Sequence, residues 1–176
     1  GLELAGWDEI VLGGHEIRET TALAEARVLL EQSRVFSPAM LEQLTPDLAT
    51  FDTQVKPGTL YGVGAKIESL AGPQVKAFQS EAAGQVVARL TSDLQAFQKA
   101  TGCERVVVVN VMSTEPPVDP AVKGLSWATI SEQLKTDTAC PLPASTLYAI
   151  AAFRAGCHYV NFTPSMGSDL PALDEY

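Results

Sequence analysis

The run Arg105-Val106-Val107-Val108-Val109-Asn110-Val111, followed by Met112-Ser113-Thr114-Glu115-Pro116-Pro117, decides the fold. Four consecutive β-branched residues favour extended backbone. The run shows no polar alternation, so a strand with both faces covered is expected, as in a parallel sheet between helix layers. The small polar residues and paired prolines that follow end it abruptly.

Working outward, apolar helical spacing covers Ala82–Ala100 through Val86, Val87, Leu90, Leu94 and Phe97, and Gly102 suits its left-handed end. Downstream, a short helix is expected over Ser126–Leu134 with Trp127 and Ile130 inward. A nearly all-apolar, and therefore buried, helix is expected over Pro143–Ala155. Tyr159–Phe162 reads as the next strand, Thr163–Gly167 as a polar loop, and Ser168-Asp169 as the cap of a last helix. Upstream, strands are expected at Glu9–Gly14 and Thr59–Val63, and helices at Thr21–Gln32 and Pro38–Leu48, the latter begun by Ser37 and Pro38. Lys56-Pro57-Gly58 reads as a turn and Ala71–Ser80 as a loop. Strands alternating with helices imply an α/β domain with a mostly parallel sheet.

The chain has 176 residues, enough for one domain with a sizeable core. Hydrophobic residues make up 46% and charged residues 19%, a globular balance. Twelve Lys+Arg against 21 Asp+Glu give a net charge of −9, which disfavours nucleic acid and anionic membrane surfaces as partners. No apolar run approaches the roughly 20 residues that span a bilayer. Gly1-Leu2-Glu3-Leu4 is acidic and unlike a signal peptide, and without Met the native start is expected to have been removed. Cys103, Cys140 and Cys157 are odd in number and far apart, so reduced thiols in a cytoplasmic protein are expected, with no metal site.

Ligands of open α/β sheets bind beyond the carboxyl ends of the strands. Four places qualify: Gly13-Gly14-His15-Glu16, the end of Thr59–Val63, Val111–Glu115, and Asn161–Gly167. Glu16 is placed to accept hydrogen bonds from both ribose hydroxyls of an adenosine, although a surface Glu on a turn fits the same pattern. Gly62-Val63-Gly64 lacks the third glycine of a phosphate loop and reads as a turn. His15 and His158 read as structural, Tyr148 and Tyr159 as core or interface. The carboxylates look scattered over solvated faces, and no catalytic residue can be named.

Taken together, Val107–Pro117, Leu142–Ala152 and Tyr159–Ser165 resemble consecutive strand, loop and helix segments of the myo-inositol-phosphate synthases. Gly14-His15-Glu16 fits the family's Gly-Trp-Asp, with Glu in place of Asp. The resemblance implies a Rossmann-like three-layer domain. It implies NAD as cofactor and an isomerase, serving inositol and phospholipid biosynthesis, that turns glucose 6-phosphate into inositol 3-phosphate by oxidation, intramolecular aldol closure and reduction. A homo-oligomer is implied as well. By position, Glu16 and Ile17 would hold the adenosine ribose and flank the adenine, and Thr59 and Leu60 would line the adenine side. Val111, Met112, Ser113 and Thr114 would lie along the middle of the dinucleotide, and Phe162 and Thr163 would meet its nicotinamide half.

The departures are as informative. The family's first strand and glycine-rich pyrophosphate loop, and its catalytic lysines and second domain, have no counterpart in residues 1–176. The chain is therefore expected to be one partial NAD-binding domain, inactive alone. Its sheet would lack the strand that stands between Glu9–Gly14 and Arg105–Val111 in a 3-2-1-4-5-6 order. That strand would come from elsewhere, or the sheet would re-pair directly or across a dimer. A non-catalytic interaction module, or a piece of another NAD(P)-dependent oxidoreductase, are the competing expectations.

Overall fold

The computed structural model describes residues 5–136 and 139–176; Gly1–Leu4, read above as an acidic start, lies outside them. The architecture is α/β, with two parallel strand pairs against a helix layer. In the first pair, β1 (Gly14–Glu16) runs beside β2 (Val55–Pro57), with Glu16 opposite Pro57. In the second, β3 (Val107–Asn110) runs beside β4 (His158–Asn161), with Asn110 opposite Asn161. Two helices in contact with each other, α1 (Ala22–Ser33) and α2 (Pro38–Thr53), connect β1 to β2. Short α3 (Ala65–Glu68) and α4 (Pro73–Lys76) lead into the long α5 (Ala83–Thr101), which precedes β3. Then α6 (Trp127–Thr136) and α7 (Ala144–Arg154) precede β4.

Local chemistry sets the helix ends. The Thr21 and Ser37 hydroxyls accept from the backbone N–H of Ala24 and Met40, capping α1 and α2. Gly102 closes α5 at φ 70°. Every residue from Ala144 to Ala152 is buried, so α7 is the centre of the core. Val86, Val87 and Leu90 of α5 and Ile130 and Leu134 of α6 pack in the same cluster.

Several expectations need correction. The first strand is Gly14–Glu16, not Glu9–Gly14. Ile10, Val11 and Leu12 precede it unpaired and exposed, because their parallel partner Val55–Pro57 reaches no further back. The Thr59–Val63 strand does not form; the ladder lies just before it, and Lys56-Pro57 is strand rather than turn. Leu60 and Tyr61 instead start a turn across the N-terminal side of α7, where the Tyr61 hydroxyl donates to the Cys140 carbonyl at 2.7 Å. Pro46 lies inside α2, which continues past the expected Leu48 to Thr53. The expected loop Ala71–Ser80 contains α4, begun by Pro73. The last helix is a 3₁₀ turn over Pro171–Glu175 that starts after Leu170, not at Ser168-Asp169.

The valine strand is also less covered than its composition suggests. Val108 packs with the α5–α7 side, whereas Val107 is 52% and Val109 49% exposed. β1 and β3 belong to separate ladders, so the sheet does not close by pairing them directly. α5 nevertheless touches both pairs. His15 Nε2 lies 3.4 Å from Asp93 Oδ2, and Leu94 packs with Val106.

Arg89 ties α5 to the end of β2. It donates to the carbonyls of Pro57 (2.9 Å) and Gly58 (3.0 Å), chelates Glu81, and lies over the Phe78 ring. Burial opposes its charge, but Glu81 outweighs that and holds the guanidinium above its ordinary value. Arg89→Met keeps the stem and strands three acceptors. It is expected to cost about 2 kcal/mol, read as a lower urea midpoint at unchanged slope.

Candidate functional site

The carboxyl ends of β1 and β2 form one part of the site. Glu16 is the last residue of β1, and its backbone carbonyl accepts from Gly58 N–H at 3.0 Å, which extends the ladder. Its side chain turns back on its own loop. Oε1 accepts from the N–H groups of Ile17 (2.8 Å) and Arg18 (3.0 Å), and Oε2 accepts from the Arg18 guanidinium (2.8 Å). Burial pushes the Glu16 carboxyl up, but the Arg18 guanidinium and the two N–H groups together hold it below the usual carboxylate range. A carboxylate offers about four lone-pair positions, so these three bonds leave room for a further donor.

Beside Glu16 opens a cleft of about 270 Å³ lined by Arg18, Asp52, Lys56 and Gln74 among others. Gln74 donates to the Arg18 carbonyl at 2.8 Å, while its buried Oε1 has no partner. The open position on Glu16 suits a ligand hydroxyl. Ile17 and Thr59 come close to this end: a side chain at Gly58 would meet Ile17 Cγ2 at 3.1 Å, and buried Thr59 turns its hydroxyl to the Tyr61 N–H. Leu60 follows on the same turn, half-buried.

The ends of β3 and β4 form the second part. Asn110 donates to Asn161 Oδ1 at 3.0 Å, and Asn161 Oδ1 also accepts from the Thr163 N–H and hydroxyl. Asn110 Oδ1 accepts from the Met112 N–H, so the two asparagines set the exits of both strands. Val111 and Phe162, exposed at 75% and 74%, project beyond these exits. Ser113 and Thr114 line an open cleft of about 610 Å³ whose other wall is Val63–Ile67 and Leu70. The turn over residues 59–64 therefore links the two parts, running from Thr59 to Gly64, which abuts Pro116.

Holding the second part is a buried knot that sequence reasoning missed. Glu115 is 7% exposed, not on a solvated face. It accepts from the Ser145 N–H (2.8 Å) and hydroxyl (2.5 Å) at the start of α7. The Ser145 hydroxyl accepts from Gly167 N–H, the Ser165 hydroxyl accepts from Glu115 N–H, and Tyr159 donates to the Ser145 carbonyl. Burial, reinforced by Glu115 and opposed by Asn110, pushes the Tyr159 hydroxyl up to about 12, so it stays a donor. Also missed were Arg18, Gln74 and Asn110, and the pairing of Asn110 with Asn161. Only Asn110, the one polar residue in a valine run, carried a signal. His15 packs on Tyr148 at 5.4 Å between ring centres, a structural placement. Among the described residues no group of three or more His, Cys, Asp or Glu could hold a metal ion, and no helix is long and apolar enough to cross a membrane.

Inositol-3-phosphate synthase 1 of Bacteroides thetaiotaomicron is 27% identical over 98% of this chain and 38% of its own. The crystal structure of inositol-3-phosphate synthase from Caenorhabditis elegans superposes with a TM-score of 0.70 at 19% identity, over 93% of this chain and 31% of its own. The fold is thus Rossmann-like, and the chain spans about a third of the length of these relatives. The NAD-binding model of the myo-inositol-1-phosphate synthases matches residues 2–176, so the chain belongs to the myo-inositol-1-phosphate synthase family as part of its NAD-binding domain.

Proposed function

We propose that this chain is the NAD-holding interior of an inositol-3-phosphate synthase that converts glucose 6-phosphate to inositol 3-phosphate. The observation that carries this is Glu16, fixed at the carboxyl end of β1 beside a cleft, with one acceptor position that the protein's own donors leave unused. NAD, when bound, would supply hydride removal and return. The chain's own groups bind and orient. Glu16 takes a ribose hydroxyl at its one open position, with Ile17, Thr59 and Leu60 on the adenine side. Val111, Met112, Ser113 and Thr114 lie along the middle, and Phe162 and Thr163 at the nicotinamide half. The family's chemistry makes the parent enzyme an isomerase, and a cytoplasmic homo-oligomer suits an acidic chain whose described helices are too short or polar for a membrane.

The two ladders support the partial-domain reading. Two parallel pairs on one helix layer, not joined to each other, correspond to the 3-2 and 4-5 pairs of a doubly wound sheet. In the assembled domain a parallel strand from outside these 176 residues lies between them. The isolated chain is accordingly inactive: incubated with NAD and glucose 6-phosphate it yields no inositol phosphate, whereas the full-length protein does. Product from the chain alone defeats the proposal. In the full-length protein, Glu16→Ala removes a charged acceptor and is expected to weaken NAD binding by about 10–100-fold, measured by calorimetric titration. Unchanged affinity would take Glu16 out of the site.

A further inference from the structure

The two helices that link β1 to β2 carry more apolar surface than this chain covers. Of all residues in α1 and α2, Leu41 alone is buried. Val28, Leu29, Val35, Met40 and Leu44 are each between 42% and 67% exposed. Asp52 Oδ1 accepts from the Ala22 N–H at 2.8 Å, which fixes the start of α1 and the end of α2 together beside the strands. The five exposed residues therefore gather at the other end of the pair, Val28 and Leu29 on α1, Val35 in the link, Met40 and Leu44 four apart on one face of α2. Apolar residues gathered in this way mark an interaction surface.

The charges around them say what fits there. Arg27, Glu31, Arg34 and Glu42 are exposed, and among the described residues none of their side chains has a hydrogen-bond or ion-pair partner. Two cations and two anions leave residues 27–44 neutral in a chain of net charge −9. Nucleic acid and anionic lipid select a basic face, which this is not. Two copies of so acidic a chain repel each other, so they meet best where the charge cancels. The order of the charges is also self-complementary. Arg27 and Glu31 stand four residues apart, on one face of α1 beside Val28. In a two-fold contact, whatever residue i touches touches i in return. With α1 antiparallel to its copy and the two-fold level with Leu29, Arg27 faces Glu31 of the partner subunit, and Glu31 faces the partner's Arg27.

We propose that the exposed end of α1 and α2, around Val28, Leu29, Val35, Met40 and Leu44, is a face on which two copies of this chain meet about a two-fold, registered by Arg27 against Glu31 of the partner subunit. This rests on the homo-oligomer reading and deepens it by naming the surface and the pair of charges that align it.

The test is sedimentation equilibrium of the full-length protein and its charge-reversed variants. The native protein is expected to be a homo-oligomer. Arg27→Glu and Glu31→Arg each bring like charges together twice across the two-fold, and each is expected to weaken self-association about 10-fold or more. Carrying both reversals at once is expected to restore association to within about 3-fold of the native, because the exchanged charges still face one another. That recovery also shows that the single variants fold. Single reversals that leave association unchanged overturn the face and leave the homo-oligomer reading standing; this is the result if another segment of the parent protein, or an unlike protein, covers α1. Single reversals that weaken association with no recovery in the double variant overturn the two-fold register and the proposal with it. A monomeric native protein overturns the homo-oligomer reading and the face together.

Discussion

Glu115→Ala is expected to destabilise the protein by about 3–4 kcal/mol, because it strands the buried Ser145 N–H and hydroxyl, each costing about 1–3 kcal/mol when unpaired. Part of that cost falls at the N-terminal end of α7, where an acceptor also complements the helix dipole. The graded response distinguishes the hydrogen-bond account from simple loss of volume. Glu115→Gln keeps one oxygen for the Ser145 N–H, but its amide nitrogen can only donate. Ser145 Oγ already accepts from Gly167 N–H, so it would accept twice and its own hydrogen would lose its acceptor. A loss of about 1 kcal/mol is expected for Gln, against the larger loss for Ala. Urea unfolding of both variants measures the difference, and equal losses would show that packing alone is at stake. The knot also joins the loop after β3 to the loop after β4 through Ser165 and Gly167. NAD affinity in the full-length protein should therefore fall about 10-fold in Glu115→Ala, although Glu115 itself touches no proposed ligand position.

The parts of this molecule that could be read from sequence are those whose cause lies within a few residues. α5 announces itself by apolar spacing and Gly102, α7 by Pro143 and its apolar circumference, and β3 by four valines. Glu16 drew notice because two glycines after an apolar run are a local pattern, although the strand that forms is the one ending at Glu16 itself. What escaped depended on distant partners. The ladder of β1 with β2 covers three residues, and its register follows from where Val55–Pro57 arrives, not from Ile10-Val11-Leu12, the more strand-like stretch. The burial of Glu115 is decided thirty residues later by Ser145, and the commitment of Arg18 by Glu25, one turn inside α1. The open Val107 and Val109 face belongs to the same class. A valine run states that a strand is made to be covered, while which neighbours cover it is a property of the assembled sheet.

Gly84→Ala is expected to lower stability by about 3 kcal/mol, against the sign that helix propensity alone would give. Gly84 is the second residue of α5, where Ala is intrinsically better by up to about 1 kcal/mol. A methyl group there, however, would collide with the Leu134 carbonyl oxygen of α6. No rotamer change relieves a contact between a Cβ and a backbone atom, so α5 and α6 must separate. The residues that seat them, Val87, Leu90, Ile130 and Leu134, are all buried in one cluster, and over-packing such a core costs typically about 1–3 kcal/mol and more where the backbone must shift. Over-packing therefore wins over propensity. The expected result is a fall in the thermal midpoint of roughly 6–12 °C for a domain of this size. Gly102→Ala is the matched control: a Cβ there meets nothing within 4 Å, and only its φ of 70° opposes the change, at about 1 kcal/mol. A Gly84→Ala protein as stable as the native one would mean that α5 and α6 do not approach this closely in solution.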